Sequence, residues 1–164
     1  MGESRIERLR NKLLRQGKPS VVPPPFPAPS GEPQPSASVL YGRLRPIAEA
    51  MYLVMTADSH VGEQERDALR GALRLLTEGR LSSAALEAML AEFRHGLERD
   101  GREVRLDSIA SELYGDRDDV ELALMLVAAA AVADGRKGDA ELETITSLAE
   151  RLSVPPERLQ TLIA

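Results

Sequence analysis

The chain has 164 residues, no cysteine and a net charge of -5, which leaves room for one domain of ordinary size and excludes disulfide frameworks, thiolate zinc sites and thiol catalysis. The charge is uneven, with +3 on residues 1–38 and -8 on the remainder. A chain with two Phe, three Tyr and no Trp, whose domain is acidic, has neither the basic footprint nor the stacking platform of a nucleic-acid binder. No apolar run approaches the ~18 residues of a spanning helix, and the N-terminus lacks the apolar core of a signal peptide, so the expected location is cytoplasmic.

Residues 1–18 form a basic N-terminal arm. Within it, SRIERLRNKLLRQ at positions 4–16 places Ile6, Leu9 and Leu13 on one helical stripe and Arg8, Lys12 and Arg15 on another. A helix this short is unstable alone in water. It is expected either to be a partly helical, solubilising tail or to fold against an acidic partner, the inner face of an anionic membrane or the acidic domain of its own chain. Residues 19–38 follow as a linker, and eight of the eleven prolines fall between positions 19 and 37. That composition predicts an extended, disordered spacer.

From position 39 to 164 the apolar periodicity is helical throughout, which predicts an all-α domain, a compact bundle of about seven helices. The first helix is expected over 39–57, with Ser38 as cap and Pro46 kinking it or splitting off its first turn. The second runs from Glu63 to about Glu78, with Leu69, Leu73 and Leu76 facing inward, and Gly79 ends it. Ser82 or Ser83 caps the third, which carries Leu86, Met89, Leu90, Phe93 and Leu97 up to the break at Asp100-Gly101. The fourth is expected from Leu106 to Tyr114. Asp118 with Glu121 resembles a capping box for the fifth, which is apolar almost all round and reaches Ala133. A sixth spans Asp139 to Leu152, and Pro155-Pro156 opens a short last helix ending near Ile163.

The fifth and sixth helices enclose an acidic turn that repeats one found 76 residues upstream. Ala57, Asp58, Gly62 and Glu65 correspond to the identical Ala133, Asp134, Gly138 and Glu141, while Glu63 corresponds to Asp139 and Asp67 to Glu143. Apolar positions agree as well, with Met51 over Val127, Leu69 over Ile145 and Leu76 over Leu152. Two related helix-turn-helix units of this kind can pack about an approximate two-fold axis. Each unit places an Asp at a helix C-terminus, against the macrodipole, and a Glu in the first turn of the next helix. Those carboxylates, with carbonyls left free at the end of the first or fifth helix, make a hard-oxygen donor set suited to calcium or magnesium. The spacing is not that of an EF-hand loop. The alternative is structural, because acids at a helix N-terminus and a Gly-containing C-terminal turn are stabilising without any metal. His60 and His95 stand 35 positions apart with no nucleophile motif, so no catalytic triad and no enzymatic activity are expected.

The AD-x-x-x-G-[DE]-x-E pattern occurs twice, each time between an apolar and an amphipathic helix, and a short helix follows Ser153-Val154-Pro155-Pro156-Glu157. Over about residues 40–163 this resembles the TerB-like domains of tellurite-resistance systems. The resemblance implies an all-helical bundle with an acidic, metal-associated surface, and a place in membrane-proximal stress complexes among protein partners. Related domains occur fused to J domains, whose His-Pro-Asp tripeptide is absent here. Carried over by residue, the ligands would be Asp58 and Glu65 in the first unit, Asp134 and Glu141 in the second, and more weakly Glu63 and Asp139. The first unit departs from the second in carrying Ser59 and His60 where the second has Gly135 and Arg136. A metal-free adaptor, whose acidic face docks a basic partner or the chain's own arm, is the competing expectation.

Overall fold

The structure is a computed structural model that describes residues 37–58, 63–133 and 138–164, without the side chains of 37–40, 64–65 and 132–133. The basic arm, all but the last two residues of the Pro-rich linker, and His60 lie outside the described residues. Seven helices and no strand occur among them: α1 (Ala37–Met55), α2 (Glu63–Thr77), α3 (Ser83–Asp100), α4 (Arg102–Leu113), α5 (Arg117–Ala133), α6 (Asp139–Arg151) and α7 (Pro156–Ile163). The all-α bundle predicted from periodicity is the fold.

Local chemistry sets most of the boundaries. Ser82, not Ser83, caps α3, its Oγ accepting from the Ala85 N–H at 3.1 Å. Asp116, rather than Asp118, starts α5, because its Oδ1 accepts from the N–H groups of both Asp118 and Asp119 at 3.1 Å. After α2 the chain turns left-handed at Glu78 and Gly79, and the Gly79 N–H donates back to the Arg74 carbonyl. α1 passes through Pro46 as one span. The carbonyl that proline deprives of its donor belongs to Gly42, which is exposed and open to water.

α4 begins four residues earlier than expected, at Arg102. The reason is Gly101, whose φ of +82° ends α3 and opens α4 with a single residue between them.

Two helices form the centre. α5 is buried along Val120, Leu122, Ala123, Leu124, Leu126, Val127, Ala128 and Ala131, as its composition predicts. α1 is equally central, with every residue from Pro46 to Val54 buried, and it packs against α2, α3, α4, α5 and α6. Phe93 on α3 lies fully inside beside Tyr52, their ring centroids 5.9 Å apart, an arrangement that adds ~0.5–1.5 kcal/mol beyond the area buried. The matched apolar positions of the repeat face this core: Met51, Val127, Leu69, Ile145 and Leu76 are all buried.

Where the two central helices cross, Arg43 donates to Asp119 Oδ1 at 2.7 Å. These residues are 76 positions apart, so each is the other's counterpart in the repeat. Equivalent residues meet in this way close to a two-fold axis. The relation does not extend to the second helix of each unit, since α6 packs against α1, α4, α5 and α7 whereas α2 rests mainly on α1.

Candidate functional site

The last turn of α1 illustrates how the first unit handles the carbonyls that a helix end exposes. The Tyr52 carbonyl accepts from the Thr56 N–H and the Val54 carbonyl from the Ala57 N–H. The Leu53 and Thr56 carbonyls accept instead from the guanidinium of Arg102, at 2.9 Å from Nη1 and 2.8 Å from Nη2. Two of the carbonyls expected to be free at the end of the first helix are therefore engaged by a side chain 46 to 49 positions away. Arg102 Nη1 also reaches Thr144 Oγ1 on α6 at 3.4 Å. One guanidinium thus links the end of α1 in the first unit to the start of α6 in the second.

At the first position of α4, Arg102 opposes its own helix dipole while complementing that of α1. Burial holds its guanidinium below the ordinary arginine value, against the opposing attraction of Glu103 and Asp58. It stays charged at any physiological pH. Asp58, the acid whose position against the α1 dipole called for a counter-ion, is exposed and is attracted through space by this positive charge.

The second unit is arranged differently. Glu141 is buried, 6% exposed, and its Oε2 accepts from the Gly138 N–H at 3.2 Å. This is one arm of a capping box, and Gly138, having no side chain, cannot supply the other. Asp139 at the start of α6 and Glu63 at the start of α2 are both exposed. Asp134 and the side chain of Glu65 lie outside the described residues. No cluster of three or more metal-ligating side chains occurs among the described residues. By donor chemistry the first turn fits a cation poorly, since a guanidinium already sits on its carbonyls. The described part of the second turn supplies a preoriented, buried carboxylate, the hard-oxygen donor type that calcium and magnesium take.

Behind Arg102 lies a second charged group that periodicity does not reveal. Glu49, only 1% exposed, receives a bidentate pair from Arg105 at 2.6 and 2.9 Å. Arg45 approaches the same carboxylate at 3.8 Å and also binds Glu92 and Glu112. Arg105 lies against Gly96, where a Cβ would stand 3.4 Å from its Nε. Hydrogen bonding to Glu49 holds the Arg105 guanidinium above its ordinary value, against the effect of burial. The sequence signal was a lone acid in an otherwise apolar helical run, which points to a buried ion pair without naming its partner.

The outward face of α6 carries a groove of about 540 Å³ lined by Asp139, Leu142, Glu143, Thr146, Ser147 and Glu150. Leu142 is half exposed within it. No described helix is long and apolar enough to cross a membrane.

No curated protein and no solved structure matches the chain. A family model, described as tellurite resistance protein TerB, matches residues 46–164, from the second half of α1 through the closing helix. The chain belongs to the TerB family.

Proposed function

We propose that this TerB domain is a non-catalytic module that binds a divalent cation, calcium before magnesium, at the acidic turn of its second unit and presents its helical surface to protein partners in stress-resistance assemblies. The observation that carries the reading is Glu141, a carboxylate buried at a helix start and held in place by the Gly138 N–H. Asp134 and the exposed Asp139 stand near it in sequence and would complete the oxygen donors. A bound calcium ion would neutralise that turn and tie α5 to α6. The basic arm, through residues 4–16, would contact the inner face of the membrane or an acidic partner.

Calorimetric titration of the whole chain with calcium and magnesium tests this. Saturable heat, lost in Asp134→Asn and Glu141→Gln while the helical circular dichroism is kept, supports it. No heat and no melting shift at millimolar metal would contradict it.

A second reading rests on the α6 groove. Asp139, Glu143 and Glu150 around Leu142 give a face with negative charge and an apolar centre, suited to a basic amphipathic helix. On this reading the domain is a metal-free adaptor. Salt-sensitive, metal-independent binding of a synthetic peptide of residues 4–16 to a chain lacking residues 1–38 would favour it.

A further inference from the structure

We infer that Arg102 is a built-in counter-cation that closes the first acidic turn to metal, so the two halves of the repeat are not equivalent binding sites. The inference rests on the proposed cation reading only in assigning metal to the second turn. The hold of Arg102 on the carbonyl end of α1 stands on geometry alone.

Calcium bound at the end of α1 would need six to eight oxygens drawn from the carbonyls there and from Asp58. Arg102 takes the Leu53 carbonyl at 2.9 Å and the Thr56 carbonyl at 2.8 Å, and contributes a positive charge that attracts Asp58 through space. A divalent ion arriving there would lose those carbonyl ligands and meet a like charge.

The local sequence places the guanidinium. Gly101, at φ +82°, turns the chain from α3 directly into α4 and sets residue 102 opposite the end of α1. Thr144 Oγ1 touches the guanidinium from α6, so it also couples the closed turn to the helix that carries Glu141. Its two carbonyl bonds match the planar fork of an arginine, which the single ammonium of a lysine reproduces only in part.

The test compares thermal melting of the full-length wild type, Arg102→Gln and Arg102→Lys, with and without millimolar calcium chloride. Without metal, Arg102→Gln should melt lowest and Arg102→Lys between it and the wild type. With calcium the order of the response should reverse, the rise for Arg102→Gln being about twofold that of the wild type because a second site has opened. Calorimetry should then count one more ion per chain in Arg102→Gln. Should that variant fail to fold, Arg102→Lys against wild type decides, and a larger calcium response in the lysine variant supports the inference. Equal calcium responses across the series would overturn it. A wild type that binds no calcium beside an Arg102→Gln that does would leave this inference standing and remove the proposed site in the second unit.

Discussion

The two helix-turn-helix units share an acidic pattern, yet their equivalent side chains stand in different surroundings. In the first unit α1 carries Glu49, buried and paired with Arg105, and ends on the guanidinium of Arg102. In the second unit the residue equivalent to Glu49 is Met125, a partly buried hydrophobe packed against the core, and α6 begins with the capping contact of Glu141. Both units share the apolar core and both reach α4 by charge, the first through the buried Glu49–Arg105 pair and the second through Arg151 with the exposed Glu103 and Asp107. An internal repeat therefore specifies backbone form more strongly than the environment of the side chains it repeats.

The contrast can be broken most forcefully at Glu49. Replacing it with Ala strands Arg105 without its main partner in a site where that side chain is only 12% exposed, which should cost ~3–5 kcal/mol in urea unfolding. Converting both Glu49 and Arg105 to Met, the residue type the second unit uses, should recover most of that loss. A Glu49→Ala loss below ~1 kcal/mol would show that the pair is not what holds α1 to α4.

In the second unit the corresponding change is Glu141→Ala, which removes the acceptor for the Gly138 N–H and should cost ~0.5–2 kcal/mol by the same measurement. Smaller again is the contact between the units. Arg43 and Asp119 are each about one-fifth exposed, at 20% and 18%, and a double-mutant cycle should return ~0.2–1 kcal/mol of coupling. Zero coupling would show that the Arg43–Asp119 contact contributes nothing to the packing of the two units.

The smallest effect is one of pH. Hydrogen bonding to Arg99, and then to Arg105, holds the Asp100 carboxyl below its ordinary value. A carboxyl depressed in the folded state contributes stability that is fully present above its unfolded value of about 3.9 and disappears as pH falls through the lower folded value. Asp100→Asn should therefore lose slightly less stability than wild type between neutral pH and acid, and an unchanged acid limb would place Asp100 outside the network.

The helices were legible in the sequence because their signals are local. Apolar spacing at 3.6 residues, a serine before α3 and Gly79 after α2 each act within one or two turns. α4 was read four residues short because its first turn is polar, so periodicity becomes visible only at Leu106, whereas the left-handed Gly101 that starts it leaves no periodic trace. The roles of Arg102 and Arg105 were not legible, since each depends on a contact about 50 positions away. Glu141 was recognisable from the repeat, but its burial was not. The reading of both turns as acidic sites treats equal sequence as equal surroundings, and at the end of α1 Arg102 has no counterpart that the repeat would have revealed.

The most direct test of this asymmetry is a calcium titration of the isotopically labelled chain followed by amide chemical shifts. The account predicts that the amides of Gly138 and of residues 139–141 move saturably, while those of residues 53–58 stay nearly still. Comparable movement at both turns, or none at Gly138 in millimolar calcium, would contradict it.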